Sequence, residues 1–337
     1  MTDFSLKYCP STLKKGFNTF SPTALKQLFD GKKVSPILSF SLEYSAKNIA
    51  ETQRISISGV QEKISLLLDK NILRLIHDNE HGQYILKPTP NSRFRAVDEI
   101  PANEHLTMQI AKQVYQIETA ENTLVFFPDE SPAYLTKRFD YQQNKEKLMV
   151  EDFATLSGIS TLKGGSSLKY EGSYEDMANL IKKYVAAYSV EMEKFFRLVL
   201  FNYLFSNGDA HLKNFSLIET PNGDMVLSPA YDLLCTRLHV SDSDMATADG
   251  LFSEDFETES FKVNAFYAFD DFMAFGIKIG IAQKRVEKII NFFQKDYPQT
   301  HQLIANSFLF EESQKMYSDL YFDKLKRFGY SYLKSKN

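Results

Sequence analysis

The sequence predicts an α+β protein of two lobes, the first rich in β-strand and the second mainly helical. The chain has 337 residues, more than one hydrophobic core usually serves. Up to about residue 140, short runs rich in β-branched and aromatic residues alternate with turn signals, as strands do. Beyond that point the apolar residues follow a helical period over longer runs. We therefore place the two lobes at residues 1–138 and 139–337.

The first lobe is predicted to be a small sheet with one main helix. Ser21 and Pro22 have the residue types of a helix N-cap and first helical position. Apolar residues at helical spacing favour an amphipathic helix after Pro101. The predicted elements are a helix over 21–31, two strands joined at Gly59 within 55–70, a strand over 82–89, a helix over 101–115 and two strands within 121–141.

The second lobe is predicted to be built around a buried helix. The segment 190–207 is apolar almost all round, which is typical of a central helix. Two strands are expected within 214–234, joined at Asn222 and Gly223, a strong hairpin signal. Further helices are predicted over 173–188, 280–295 and 310–334.

Composition excludes several classes of protein. The net charge is −4, so no general attraction to nucleic acid is indicated. Cys9 and Cys235 are the two cysteines, which supports neither a disulfide framework nor a four-cysteine metal site. The first residues lack an apolar signal region, and no apolar run reaches the length of a membrane span. We expect a soluble, cytoplasmic protein.

The segment NGDAHLKN, residues 207–214, carries the strongest chemical signal. The predicted hairpin would bring Asp232 back beside Asn214, close to Asp209. A carboxamide and a carboxylate suit a hard cation such as Mg²⁺, and the other carboxylate suits a substrate hydroxyl. Protein-kinase catalytic loops have the same spacing of Asp and Asn, followed by a separate metal-binding Asp. The alternative for the loop alone is a polar hairpin corner.

The first lobe could supply the phosphate-binding half of such a site. The segment SISGVQEK, 56–63, could cover phosphates with its backbone N–H groups, although it has a single glycine. Lys87 could reach the phosphates as a point charge, and Glu104 is its expected ion-pair partner. Residues 136–140 could offer backbone groups to an adenine ring. The alternatives are a solvent-facing lysine at a strand end and an ordinary first-turn glutamate.

Together, these motifs resemble those of HipA-type serine/threonine kinases, the toxins of toxin–antitoxin pairs. The similarity covers about residues 50–300 and rests on SISGVQEK, ILKPT, PANEHLTMQIAK, LTKRFD, NGDAHLKNFSL and SPAYDLL, in that order. It implies a bilobal protein-kinase-like fold, ATP with Mg²⁺ and a helix-turn-helix DNA-binding antitoxin as partner. Known family substrates are aminoacyl-tRNA synthetases. The chain is expected to lack an N-terminal subdomain, as in the compact HipT form, where a small third protein replaces it.

The resemblance implies a role for each matched residue. Asp209 resembles the catalytic base, Asn214 and Asp232 the metal ligands, and Lys87 the ATP lysine paired with Glu104. Residues matched to nucleotide binding are Ser58, Gly59, Val60, Gln61, Glu62, Lys63, Lys137, Arg138, Phe139, His211, Leu212, Lys213 and Tyr231. His211 replaces the catalytic-loop lysine of ordinary protein kinases, and a structural role in bracing the loop is the favoured interpretation.

Two further segments carry hypotheses about regulation and substrate. Ser56 and Ser58 match a loop that is autophosphorylated in the family, and a phosphate there would repel those of ATP. The alternative is a pair of ordinary strand hydroxyls. The segment 241–260 has seven acidic residues and no Lys or Arg. It could attract a basic substrate loop, but a solvated acidic loop is favoured.

Three functions remain open at this point. The first is a protein kinase toxin. The second is a small-molecule or lipid kinase, because the GD-x-H-x-x-N pattern also resembles the loops of aminoglycoside phosphotransferases and phosphoinositide kinases. The third is a catalytically silent module that tethers a repressor. Transfer of phosphate to a protein would separate the first from the second, and ATP turnover lost in Asp209→Asn would exclude the third.

Overall fold

The computed structural model describes residues 6–45, 62–77, 79–141, 146–159 and 166–335. Its strands fall into two sheets, both wholly antiparallel. The strands are β1 Ile64–Asp69, β2 Ile72–Leu75, β3 Tyr84–Pro88, β4 Asn122–Phe126, β5 Pro132–Lys137, β6 Val150–Asp152, β7 Ser216–Glu219 and β8 Met225–Leu227. The first five strands form one sheet in the order β2-β1-β3-β5-β4, and the last three form the order β6-β7-β8.

Helices dominate the second half of the chain. They are α1 Pro22–Phe29, α2 Ile100–Gln113, α3 Phe153–Leu156, α4 Tyr174–Tyr184, α5 Tyr188–Leu204, α6 Glu259–Asn264, α7 Phe269–Lys278, α8 Gln283–Phe293, α9 Pro298–Ala305, α10 Glu311–Gly329 and α11 Tyr332–Ser335. The predicted order of a β-rich part and a helical part is confirmed. Within the described ranges, no helix has the length and hydrophobicity needed to cross a membrane.

Helix α1 covers one face of the five-stranded sheet. The Ser21 side chain accepts a hydrogen bond from the Ala24 N–H, and Asp30 ends the helix in a left-handed conformation. The cap and the proline therefore act as the sequence predicted. Leu28 and Phe29 pack with Leu86 of β3 in a separate hydrophobic core. Because side chains of a strand alternate between its faces, the neighbours of Leu86 in β3 lie on the face of the sheet away from α1.

Helix α2 differs from its prediction as an amphipathic helix. Twelve of its fourteen residues are buried, including polar ones such as Asn103, His105 and Gln109. The helix lies between the sheet and the C-terminal helices, so it has no solvent face. Each of these three polar side chains has a hydrogen-bond partner, as buried polar groups require.

Tyr115 joins the first part of the chain to the helical core. Its ring follows α2 and packs against Phe201, Phe205 and Phe293, with centroids 5.5, 5.4 and 5.0 Å away. Aromatic contacts of this kind add to the burial of apolar area. Because one core includes residues of both halves, α2 is held in place by both. The proposed boundary at residue 138 stays a prediction.

The predicted β7–β8 hairpin is confirmed. Leu217 pairs with Leu227 and Ile218 with Val226, with a turn at Gly223 between the strands. Beyond β8 the chain forms a backbone bridge from Ala230 to the segment that precedes β4. The hairpin therefore delivers the next residues to the base of the five-stranded sheet.

Candidate functional site

Lys87 lies on the face of the sheet opposite to α1. Successive side chains of a strand point to opposite faces, so Leu86 enters the α1 core while Lys87 faces α2. Lys87 is paired in register with Tyr134 of β5, and its ammonium lies 5.3 Å from the centre of that ring. The strand thus holds a cation in an otherwise buried position. The interpretation of Lys87 as a solvent-facing strand end is wrong, because the residue is only 5% exposed.

The ammonium of Lys87 bridges two carboxylates. Its Nζ lies 2.6 Å from Oε1 of Glu104 and also makes a direct ion pair with Asp232. Burial alone would lower the pKa of Lys87, but Asp232 and Glu104 outweigh it and the pKa is raised. Burial also raises the pKa of Glu104, opposed by the charge of Lys87. The predicted partnership of Lys87 and Glu104 is present.

Asp209 lies on a tight loop directly after the central helix α5. The Asp209 N–H donates to the side-chain oxygen of Asn207, and the Gly208 N–H donates to the hydroxyl of Thr236. Such side-chain contacts fix a turn that has no regular backbone ladder. The Asp209 side chain is 48% exposed, so its carboxylate can meet a ligand.

His211 holds the shape of this loop. Its ring Nδ1 accepts a hydrogen bond from the backbone N–H of Lys213 at 3.2 Å. The backbone N–H of His211 donates to the side-chain oxygen of Asn214. Burial lowers the pKa of His211 to about 4, so the ring is uncharged at neutral pH. Its 3.9 Å approach to Asp209 is therefore not an ion pair at that pH. This geometry agrees with the bracing role that the sequence favoured.

Asn214 and Asp232 are neighbours, as the hairpin predicted. Nδ2 of Asn214 lies 3.3 Å from Oδ2 of Asp232. Asp232 has a φ of 55°, a left-handed conformation that Asp tolerates better than most residues. Burial would raise its pKa, but the charges of Lys87 and Lys63 hold the pKa below the ordinary value. Asp232 is thus held as a carboxylate.

The oxygen atoms of Asn214 and Asp232 suit a cation that takes most of its ligands from water and a bound nucleotide. In the described ranges, no group of three or more His, Cys, Asp and Glu side chains could enclose a metal. One carboxylate and one carboxamide instead suit Mg²⁺, which keeps waters and phosphate oxygens in its shell. Asn214 and Asp232 would hold it.

The phosphate-covering segment is only partly described. Ser56, Ser58, Gly59, Val60 and Gln61, including both proposed phosphorylation sites, lie outside the described residues. Glu62 is exposed ahead of β1. Nζ of Lys63 lies 3.8 Å from Asp232, which brings the end of this segment to the same carboxylate as Lys87.

The predicted hinge residues differ from expectation. The side chain of Lys137 pairs with Asp30, and that of Arg138 pairs with Asp140. Their backbone N–H groups donate to protein carbonyls, so they are not available to a ligand. Phe139 remains, with its ring centre 5.8 Å from that of Tyr231. The half-buried pair could border a planar group.

Three other predicted nucleotide contacts have structural partners. Leu212 is buried in the main hydrophobic core, so a nucleotide could meet only its backbone, and its role stays a prediction. The Tyr231 hydroxyl donates to the Lys213 carbonyl at 2.9 Å, which ties the loop to the segment between β8 and Asp232. These contacts keep the loop in place, whatever else the partly exposed Lys213 and Tyr231 meet.

The acidic segment 241–260 is partly internal. Asp244 pairs with Arg237 at 2.9 Å and directly with the buried Lys324 of α10. Asp242 lies against Gly208. Asp242 therefore supports the loop of Asp209 and Asp244 ties the segment to α10, while others in the segment, such as Glu254, remain exposed.

Sequence reasoning missed Tyr170, whose hydroxyl donates to Oδ1 of Asp209 at 2.6 Å. The residue ends a short 3₁₀ helix, Ser166–Tyr170, in a segment for which the sequence predicted no element. The single available signal was the spacing of Tyr170 and Tyr174, four residues apart.

The chain is similar in sequence to a family of known proteins. The family described as HipA-like C-terminal domain matches residues 55–300. A Haemophilus influenzae protein, provisionally named a kinase, is 28% identical over 330 residues, which cover 90% of this chain and 92% of that protein. The serine/threonine-protein kinase toxin HipA of Shewanella oneidensis is 26% identical over 206 residues, 55% of this chain and 44% of the toxin.

A solved structure has the same fold. The structure of Shewanella oneidensis HipA, in complex with HipB and its operator DNA, superposes with a TM-score of 0.64 at 20% identity. The match covers 84% of this chain and 70% of that one. The predicted two-lobed, kinase-like α+β fold is confirmed. Since the family match spans well over half of the sequence, this chain belongs to the HipA-like C-terminal domain family.

Proposed function

We propose that the protein is an ATP- and Mg²⁺-dependent serine/threonine protein kinase. The observation that carries the proposal is the bridge of Lys87 to Asp232 and Glu104 beside the loop of Asp209. A buried cation next to an oxygen donor pair is suited to nucleotide phosphates and their metal. Relatives named as kinases support the same conclusion.

Each residue has a physical task in the proposed reaction. Lys87 orients the phosphates as a point charge and is itself held by Glu104. Asp209 accepts the proton of a serine or threonine hydroxyl as its oxygen bonds to the γ-phosphorus and the bond to the leaving oxygen breaks. When bound, Mg²⁺ at Asn214 and Asp232 supplies charge neutralisation at the phosphate oxygens.

The biological role is proposed from the relatives. We propose a toxin of a bacterial toxin–antitoxin system that phosphorylates a translation protein, most simply an aminoacyl-tRNA synthetase. A helix-turn-helix antitoxin would be its partner, since HipA of Shewanella oneidensis forms a complex with HipB and operator DNA. The compact HipT form, with a small third protein, and cytoplasmic location remain part of this proposal.

We propose that autophosphorylation at Ser56 or Ser58 regulates the kinase activity. Lys63 follows that segment and contacts Asp232, so the segment ends beside the phosphate-binding residues. A phosphate there would add about −1.5 to −2 charges where ATP phosphates bind. Mass spectrometry of peptides spanning 56–58 after incubation with Mg-ATP tests this. If Ser56 and Ser58 stay unmodified in an active enzyme, this regulation by autophosphorylation is excluded.

The kinase proposal is tested by phosphate transfer from labelled ATP to protein. The wild type, Asp209→Asn and Asp224→Asn are compared, because Asp224 is exposed on the β7–β8 turn and serves as the matched control. Transfer should fall by about 10²–10⁴-fold in Asp209→Asn alone, which leaves a small residual rate. Induction of the same variants in a bacterial host, followed by phosphoproteomics, should show growth arrest and a new phosphoserine that depend on Asp209. Equal turnover in all three variants would contradict the proposal.

A further inference from the structure

The contact between Tyr170 and Asp209 is a hydrogen bond of defined direction. Burial raises the pKa of the Tyr170 hydroxyl, and its hydrogen bond to Asp209 raises it further, so the group stays protonated. The hydroxyl of Tyr170 therefore donates, and the carboxylate oxygen of Asp209 accepts. At 2.6 Å between the Tyr170 oxygen and Oδ1 of Asp209, the bond has the length of a charge-assisted one.

Backbone contacts hold Tyr170 firmly in this position. The Ala248 N–H donates to the Tyr170 carbonyl at 2.7 Å, and the Asp249 N–H donates to the Gly172 carbonyl. Ser173 and Asp176 then form a reciprocal cap at the start of α4. Two backbone hydrogen bonds from Ala248 and Asp249 thus hold the segment that carries the donor, ahead of a capped helix.

The ring of Tyr170, which is partly exposed, also contacts neighbouring side chains. It meets the His211 ring edge to face, with centroids 5.2 Å apart, and the Lys169 ammonium lies 4.9 Å from its centre. Tyr174, four residues later, donates its hydroxyl to the Ala210 carbonyl at 2.8 Å. One short segment therefore contacts both the side chain of Asp209 and the backbone beside it.

We propose that Tyr170 is a positioning residue for Asp209, an inference that rests on the proposed kinase function. By binding Oδ1, the hydroxyl fixes the rotation of the carboxylate. Oδ2 accepts no hydrogen bond from the residues that the structure describes, so it is the atom left to receive the proton of a substrate hydroxyl. Preorganisation of this kind lowers the cost of reaching the reactive geometry.

The opposite role for Tyr170 would be a pseudosubstrate. A phenol bound to the catalytic carboxylate would then block the substrate hydroxyl, and its removal would accelerate turnover. The anchoring of Tyr170 by Ala248 and the contact of its ring with His211 favour a permanent part of the loop over a displaceable plug. The two roles predict opposite changes in rate, so one variant separates them.

The test is Tyr170→Phe, which keeps the ring and deletes the hydroxyl. We expect kcat to fall about tenfold with KM for ATP unchanged within about twofold, because loss of orientation affects the transition state rather than nucleotide binding. Tyr184→Phe is the matched control, as Tyr184 is an exposed tyrosine at the end of α4, and its kcat should equal that of the wild type. An unchanged or raised kcat in Tyr170→Phe would overturn the inference.

A double-mutant cycle shows whether Tyr170 acts through Asp209. In the Asp209→Asn background, Tyr170→Phe should cause no further loss of residual turnover, whereas a general structural role would reduce it by the same factor as before. Equal factors in both backgrounds would refute positioning. A wild type without turnover would refute the kinase proposal and this inference together, while an active wild type that equals Tyr170→Phe refutes the inference alone.

Discussion

Lys87 and Asp232 are 145 positions apart in the sequence and form a direct ion pair between the five-stranded sheet and the segment after the β7–β8 hairpin. Glu104 completes the group from α2. The pair joins a predicted phosphate-binding residue to a predicted metal-binding residue, with one charge of each sign. Its charges are therefore balanced within the protein, and removing one of them has consequences for stability as well as for chemistry.

Lys87→Met should lower both activity and stability. The variant leaves Glu104 buried opposite Asp232, and an unpaired buried carboxylate costs about 3–5 kcal/mol. Without Lys87, Glu104 is stabilised by taking up a proton, so the loss in free energy of unfolding should be larger at pH 8 than at pH 5. Urea unfolding at the two pH values measures the loss, and labelled ATP measures turnover, which should become undetectable.

Lys112→Met is the matched control for that experiment. Lys112 also pairs with a glutamate, Glu121, but both side chains are partly exposed. Exposed pairs contribute about 1 kcal/mol or less. An equal loss in free energy of unfolding in Lys87→Met and Lys112→Met would mean that the buried ion pairs of Lys87 stabilise the protein no more than an exposed pair does.

Nucleotide binding should stabilise the protein through Asp232. With Mg²⁺ and a non-hydrolysable ATP analogue at about 100 times the dissociation constant, the wild-type Tm should rise by about 5 °C. Asp232→Asn should remove this rise, because it removes the charged oxygen donor beside Asn214. Differential scanning fluorimetry with and without ligand compares each variant with itself. Asp224→Asn should keep the full rise, and a full rise in Asp232→Asn would exclude Asp232 as a ligand.

The sequence predicted the position of site residues best where a recognisable turn brought two of them together. Asn214 and Asp232 were placed together because a hairpin returns the chain to its starting point. Lys137 is assigned to the nucleotide by motif alone, through its backbone, and its backbone N–H donates to the Glu121 carbonyl instead. Tyr170 was missed because its contact with Asp209 depends on irregular segments whose path has no periodic signal.

Gly208→Ala should impair the loop more than the fold. A Cβ at position 208 would lie 2.6 Å from the Ser243 carbonyl oxygen and against the Asp242 carboxylate, so the loop or its support must shift. A shift of about 1 Å beside Asp209 can lower turnover about 100-fold. Steady-state kinetics and Tm are the measurements.

Gly329→Ala is the control for the glycine substitution. Gly329 is in α10, and a Cβ there would meet no atom within 4 Å. Its replacement should leave turnover unchanged and alter stability by about 1 kcal/mol or less. Normal kinetics in Gly208→Ala would show that the loop tolerates displacement.

Acidification should destabilise the protein through His211. Its pKa is lowered from 6.5 to about 4 by burial, so between these values the unfolded chain binds the proton more strongly. The stabilisation is therefore complete above pH 6.5 and is lost as the pH falls towards 4, an effect of about 3 kcal/mol.

In His211→Asn, an amide oxygen can still accept the Lys213 N–H but does not titrate. His105, whose pKa burial also lowers to about 4, contributes equally to both proteins, so their difference isolates His211. Urea unfolding of both proteins between pH 7.5 and 4.5 should give a shallower decline in His211→Asn, and parallel curves would show that His211 is not held neutral by the fold.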